Sequence, residues 1–382
     1  MTLTADLIDD PAALEPWVAQ WDELAVEVGA PYCTPAWMLS CWRHTMTGSV
    51  ELRVVVVHED SRLVGIAPYF VQLGKLGLAE YRLLGAGISH RIGPIARPGR
   101  EQEVASALAG AVAAADPQPS SFLFEGADAA SPWPDLVRRG WPGRLRPTQR
   151  ATFTMDAPTL SLDGDFEQWY ESHSSNFRQK MRQKRRQMEK RGGEIRMVTE
   201  ADEARRVLDS MIRQHRERWA ARGLKGSLHH GADEHLHEVV AALVPQQRAR
   251  LWSIFADGEA VCTHVFFTAG SEVASWGGGF EPDWASVSPA QLVILAAVED
   301  AFQRGESRLD WGGGILDYKL RFANGDEPIE WVALFPKNAR YPLTRGQMMP
   351  KAIRTAARNR YRQLPESVRG RIEAIRRRGR PG

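Results

Sequence analysis

Runs of apolar residues separated by short polar turns mark the strands of this chain. Leu52 to Val57 is an apolar strand, His58 to Ser61 a polar turn, and Leu63 to Phe70 a second strand. Residues 251 to 267 repeat that plan, with LWSIFA leading through Asp257-Gly258 into Ala260 to Phe267, so that Asp60 falls on Asp257 and Tyr69-Phe70 on Phe266-Phe267. A third strand is expected in each half, ending Leu83-Leu84-Gly85-Ala86-Gly87 in one and Ser275-Trp276-Gly277-Gly278-Gly279 in the other. A loop, a helix (about Arg100 to Ala115; Pro289 to Arg304) and a short strand (Ser121 to Phe124; Arg308 to Trp311) then follow in both. Two copies of a mixed α/β module, joined by a Pro/Gly-rich stretch near Trp141 to Gly164, account for this order. Phe177, Met181 and Met188 recur at helical spacing on an otherwise basic segment.

At 382 residues, 43% hydrophobic and 25% charged, with thirteen Trp, the chain is of globular composition and long enough for two or three domains. Cys33, Cys41 and Cys262 are too far apart for a metal knuckle, and their odd number suits a reducing, cytoplasmic setting. No apolar run reaches the roughly 18 residues of a spanning helix, and the acidic first sixteen residues lack the pattern of a secretory signal. The net charge of +2 is unevenly placed: residues 337 to 382 hold fourteen Lys/Arg against Glu366 and Glu373, which leaves the remainder acidic. Phe177 to Arg196 is a second basic block, with nine Lys/Arg and two Glu. Both blocks read as helical arms, either solvated faces or contacts to a polyanion such as tRNA, an anionic membrane or a phosphorylated donor.

Candidate chemistry concentrates in the second half. Ser288-Pro289-Ala290-Gln291 has the form of a capping box, which is either a well-capped helix start or an anion cradle. The glycine triplet in Asp310-Trp311-Gly312-Gly313-Gly314 precedes Asp317, Tyr318, Lys319 and Arg321. Tyr318 is placed to protonate a leaving thiolate or alkoxide, and Lys319 and Arg321 to hold a carbonyl oxygen, carboxylate or phosphate. Asp317 and Arg321 at i,i+4 also fit a plain helix ion pair. His264, two residues from Cys262 on a candidate central strand, is either the base that neutralises an amine or a packed core histidine. The cluster of His229, His230, His235 and His237 reads as a polar loop entering a helix, with zinc as the other reading. Ser89-His90-Arg91 follows the first module's glycine-rich strand end and faces an acceptor or forms an ordinary loop. No GxSxG, P-loop or HExxH is present.

Five stretches, in order, give the second half its resemblance to a known family: FRQKMRQKRRQMEKRGG (177 to 193), HRERWAARG (215 to 223), the strand pair around Asp257-Gly258, Ser288-Pro289 with its helix to Gly305, and Asp310 to Phe322. They resemble the BioF2/CelD-like acetyltransferase domain, a GCN5-related N-acyltransferase (GNAT) branch akin to the Fem peptidoglycan-bridge aminoacyltransferases. The resemblance extends more weakly to LVGIAPYF and LLGAG in the first half. It implies an α/β (α+β) fold of tandem GNAT-like modules, each a mixed, mostly antiparallel sheet flanked by helices with splayed central strands. The expected divisions are residues 1–160, 161–340 and a basic helical tail at 341–382. Carried over, Trp276, Gly277, Gly278 and Gly279 edge the splayed strands, and Ser288, Ala290 and Gln291 cradle the donor. Tyr318 takes the place of the general acid and Lys319 that of the lysine beside the donor carbonyl. With them go His264 as the candidate base and Asp310, Asp317, Arg321, Trp219 and Arg178 toward the acceptor. Val287 to Leu292 lacks the glycines of the usual acyl-CoA loop.

The activity implied is acyl transfer to an amine of a small metabolite, amino sugar or envelope precursor, with acyl-CoA as co-substrate and no metal. An aminoacyl-tRNA donor, or a non-catalytic module docking on anionic surfaces, is the alternative. The protein is expected in the cytoplasm or at the inner face of the membrane; its oligomeric state is left open.

Overall fold

A computed structural model of the chain describes residues 3–346 apart from 222, 224–227, 229 and 230. Most of the expected basic tail, together with His229 and His230, lies outside the described residues.

The paired hairpins form as the pattern predicts. β1 (Leu3–Ile8), β2 (Val50–Glu59), β3 (Arg62–Leu73), β4 (Ala79–Leu83), β5 (Ile95–Ala96), β6 (Ser121–Asp128) and β7 (Thr148–Met155) come first along the chain. β8 (Pro158–Ser161), β9 (Glu194–Val198), β10 (Ala249–Ala256), β11 (Glu259–Ala269), β12 (Glu272–Phe280), β13 (Arg308–Asp310), β14 (Gly325–Asp326) and β15 (Ile329–Phe335) follow. One sheet has the order β1-β2-β3-β4-β6-β15-β7, with β5 against β3; the other has β9-β10-β11-β12-β13-β8-β14. In both, every neighbouring pair is antiparallel except the central one, β4 with β6 and β12 with β13. Each hairpin turn carries an aspartate in the left-handed region, Asp60 (φ 51°) and Asp257 (φ 52°), a conformation Asp tolerates better than most residues. Each also slips register three residues earlier, after Val57 and after Ile254, so the alignment of Asp60 on Asp257 holds at the level of the backbone.

Two expectations fail locally. β4 stops at Leu83 instead of running through Gly87, because Gly85 and Gly87 adopt φ of +79° and +92° and turn the chain away. The join at 141 to 164 is not a plain linker but contains β7 and β8. β7 is TQRATFTM and mostly exposed, so it lacks the apolar alternation that marks a strand; pairing with β15 holds it in the sheet. The sheets also exchange chain. β15, near the end of the described residues, inserts between β6 and β7 of the first sheet, and β8 pairs with β13 in the second, across the 160/161 division.

Ten α-helices lie among the described residues: α1 (Glu15–Glu27), α2 (Pro35–His44), α3 (Glu101–Ala114), α4 (Trp133–Gly140), α5 (Phe166–Ser172), α6 (Ser175–Lys190), α7 (Ala201–Ala220), α8 (Ala232–Leu243), α9 (Pro289–Gln303) and α10 (Asp317–Phe322). On one face of the second sheet, Phe266, Val273 and Leu309 pack against Ile294, Ala297 and Val298 of α9. On the other, Val265, Phe267 and Ala274 join α7, α8 and α2 in a core continuous with the first sheet. Phe267 meets Trp37 of α2 edge-on, with ring centroids 5.0 Å apart. At about 1.5–3 kcal/mol for each large apolar side chain buried, contacts of this kind fix the two halves against each other.

Buried histidines make this core acid-sensitive. His235 of α8 packs against Trp37 and Ser40, and burial pulls its pKa down to about 3. Below its unfolded value near 6.5 the unfolded chain therefore takes up protons that the native state refuses, and stability falls as pH drops from about 6.5 toward 3. The melting temperature is expected to decline over that window, and to decline less in His235→Phe; an unchanged pH dependence in the variant would show that other groups govern it.

Candidate active site

Three residue pairs join β12 to β13: Glu272 with Arg308, Val273 with Leu309, and Ala274 with Asp310. Beyond them the strands part. β12 runs on to Phe280 paired with β11 alone, while the other chain turns off after Asp310, its Trp311 N–H bonded to the Pro158 carbonyl. The β11–β12 ladder shifts register at Val265/Phe266, which leaves Trp276 as the extra residue of a bulge beside the gap. Gly312 (φ +72°) and Gly314 (φ +87°) supply the left-handed positions that fold the loop after β13 tightly.

Lys319 fills this notch. α10 starts directly after the glycine loop and directs the lysine inward, where it is 6% exposed. Its ammonium donates to the carbonyls of Gly312 (3.0 Å) and Gly313 (2.9 Å). Burial brings its pKa down to about 8, against the opposing pull of Asp310, so the group is charged at neutral pH but close to its titration point. A Cβ on Gly312 would stand 3.7 Å from the Ser275 carbonyl and 3.9 Å from Lys319 Nζ, which places the ammonium next to the parted edge of β12. Across the gap His264 Nε2 lies 2.8 Å from Ser275 Oγ. Burial, reinforced by Lys319, draws the pKa of His264 to about 3, and the ring is neutral. Its imidazole resonances are expected to stay unchanged on NMR titration from pH 8 to 4.5; a midpoint inside that range would contradict the dry environment described.

Tyr318 is half-buried against the hydrophobic cluster that includes Trp311 and Phe322, and burial raises its pKa, so the phenol keeps its proton. Lys319, His264, Asp310 and the β12 edge thus converge at the notch. Asp317 and Arg321 do not: both are exposed at the ends of α10, and no ion pair joins them. Arg178 sits in the first turn of α6, its carbonyl accepting the Tyr170 hydroxyl at 3.2 Å. Trp219 is half-buried at the end of α7, its ring 5.9 Å from that of His215. His215 in turn approaches the Gly278 carbonyl at 3.3 Å.

The start of α9 departs from a capping box. Ser288 is left-handed (φ 55°, ψ 53°) and its side chain makes no cap bond; its carbonyl instead accepts the Gln291 N–H at 3.0 Å. Pro289 has no N–H to give, and Gln291 Oε1 is buried without a partner. The tight 3-10 turn over Pro282–Val287 ends at Ser288 in the left-handed region instead of the extended backbone that a side-chain cap usually has. Lys184 and Arg191, from α6 and the residue after it, bind the Ser286 and Asp283 carbonyls at 2.5 and 3.0 Å and bring positive charge to this end.

Asp310 links the site to the first half. Its carboxylate pairs with Arg91 Nε at 3.1 Å, and Arg91 also contacts Asp128 and Glu327. His90 packs beside Gly313 and Trp331, its Nδ1 buried without a partner. Of these the sequence flags Asp310 and Gly313, in the glycine-triplet run, and Ser89-His90-Arg91, as a loop that either faces an acceptor or is an ordinary loop; Tyr32, Asp128 and Glu327 leave no local signal. Cys262 is buried beneath α9, and burial raises its thiol pKa. Among the described residues no three His, Cys, Asp or Glu gather so as to hold a metal ion, and no helix is long and apolar enough to cross a membrane.

The mixed sheet whose parallel central pair parts around a buried lysine lies in the part of the chain that resembles a known acyltransferase domain. Residues 175–320, which span α6 to α10, match the family model described as an acetyltransferase (GNAT) domain. Among solved structures the chain is similar to FemX at 10% identity, over 88% of this chain and 99% of that one, with a TM-score of 0.61. It is also similar to the C-terminal domain of a putative lysylphosphatidylglycerol synthetase from Agrobacterium fabrum, at 11% identity over 87% and 94% of the two chains (TM-score 0.53). At such identities the likeness is one of fold. No curated protein matches the sequence.

Proposed function

We propose that the protein moves an acyl group from an activated donor, acyl-CoA first, to an amine by direct attack in the notch between β12 and β13. The observation that carries this reading is the Lys319 ammonium, dry and charged, beside a strand edge with no partner. The amine nitrogen bonds to the thioester carbonyl carbon, and Lys319 faces the oxyanion that develops there. The C–S bond then breaks, and the Tyr318 phenol gives its proton to the departing thiolate. The proton lost by the amine passes toward solvent through the His264–Ser275 pair; an imidazole at about 3 relays a proton rather than storing it. The donor's phosphates fit the start of α9, where the Ala290 N–H and the cations Lys184 and Arg191 stand in for the missing glycine loop.

One observation favours aminoacyl-tRNA as an alternative donor: Lys180, Arg182, Arg186 and Lys190 stand exposed along α6. Thermal shift separates the two. Acyl-CoA is expected to raise the melting temperature by several degrees at a hundredfold excess over its Kd, where binding adds about 2.7 kcal/mol, and salt is expected to change this little. Stabilisation only by charged tRNA, lost steeply between 50 and 200 mM salt, would replace the CoA reading.

A further inference from the structure

A cavity of about 710 Å³ lies between the two halves. Along β12 and β13, Val273 and Leu309 face α9, so Glu272, Ala274, Arg308 and Asp310 project from the opposite face of the sheet. These four line the cavity. It therefore sits across the sheet from the α9 donor end, and Asp310, which lines it, is also the carboxylate whose charge acts on Lys319.

Its lining is unbalanced. Six carboxylates, those of Glu101, Asp128, Glu272, Asp310, Asp326 and Glu327, face it against the guanidinium groups of Arg91 and Arg308. Arg91 is shared by Asp310, Asp128 and Glu327, and Arg308 by Glu272 and Glu327, so four carboxylates divide two positive charges. Glu101 and Asp326 accept only backbone N–H groups, from Gly99 at 3.2 Å and Ala157 at 2.9 Å. Independently of these charges, Tyr32 is 5% exposed and lines the cavity, yet nothing among the described residues hydrogen-bonds its hydroxyl. Trp133 adds a second aromatic wall. Surplus carboxylates, a free hydroxyl acceptor and aromatic faces are the environment an alkylammonium seeks.

We infer that this cavity is the acceptor site and that it selects a multiply charged aliphatic amine, a di- or polyamine, over neutral or anionic amines. The inference rests on the transferase reading and names its acceptor class. One amine reaches past Asp310 to the notch, while a second ammonium is held among Asp128, Glu327 and Glu101.

Calorimetry on the full chain without donor tests it, with spermidine, butylamine and UDP-glucosamine as probes. Spermidine is expected to bind at least tenfold tighter than butylamine, with UDP-glucosamine weaker than both. Glu327→Gln and, because Glu327 also braces Arg308, the less entangled Glu101→Gln are each expected to weaken spermidine binding about fivefold, with Tyr32→Phe weakening it further. Equal binding of the three probes, or binding indifferent to both glutamate variants, overturns the inference. Since this binding needs no donor, selective spermidine binding together with no acyl transfer in a separate assay supplied with acyl-CoA and with charged tRNA would sink the transferase reading alone. Transfer to neutral amines with no preference for cations would sink the cavity assignment alone.

Discussion

Lys319→Ala is expected to lower kcat about 10²- to 10³-fold, the usual cost of removing one donor from an oxyanion site, with a smaller change in KM for the donor. Lys319→Arg is not expected to restore the rate. The socket offers two adjacent carbonyls at 3.0 and 2.9 Å to a compact ammonium, and a planar guanidinium does not fit it. The charge state provides a second check. Because the pKa of Lys319 is about 8, kcat/KM is expected to fall roughly tenfold per pH unit above that value as the ammonium is lost.

Stability moves the opposite way. Between about 8 and the unfolded value near 10.5, the unfolded chain holds a proton that the native lysine has released, so stability rises with pH across that window, by about 3 kcal/mol at most. In Lys319→Met the rise should vanish, as chemical denaturation at pH 7.5 and 10 would show. A flat pH–rate profile together with an active alanine variant would remove Lys319 from the chemistry and leave it a loop clasp for Gly312 and Gly313.

How far the sequence foretold this site depends on whether the signal was local. The hairpins were legible because a left-handed aspartate between two apolar runs is a short-range code, and it repeats at Asp60 and Asp257. Lys319 was legible because a glycine triplet must fold tightly and the polar run follows it at once. β7 was not, since its stability comes from β15, nearly 180 residues away, rather than from its own apolar pattern. Ser288 misled because the composition of a capping box says nothing of the turn that feeds it, and that turn places the residue at φ 55°. Arg91 and Tyr32 come to Asp310 and its cavity from more than 200 residues upstream, a proximity created by packing of one half on the other. Basic α6 is amphipathic, as its spacing predicts, with Met181 and Met188 buried and Lys180, Arg182, Arg186 and Lys190 exposed.

The three glycines of β12 separate packing from ligand binding, because none has a positive φ and only space constrains them. A Cβ on Gly278 would overlap the Thr263 carbonyl oxygen and stand 2.9 Å from His264 Nδ1; one on Gly279 would stand 2.7 Å from the Met211 carbonyl oxygen of α7. Both obstacles include backbone, so Gly278→Ala and Gly279→Ala are expected to cost about 1–3 kcal/mol by overpacking and to lower the melting temperature by several degrees at about 2–4 °C per kcal/mol. Gly277 differs: nothing lies within 4 Å of its Cβ position, so Gly277→Ala should melt with the parent. Its Cβ would enter the space along the parted edge, where the donor is proposed to lie, and the donor KM is expected to rise about tenfold, equivalent to about 1.4 kcal/mol. Three neighbouring substitutions of the same size then divide into two that weaken the fold and one that weakens only donor binding. If Gly277→Ala kept both the parent melting temperature and the parent KM, the donor would not run along this edge, and the parting of β12 from β13 would need another purpose.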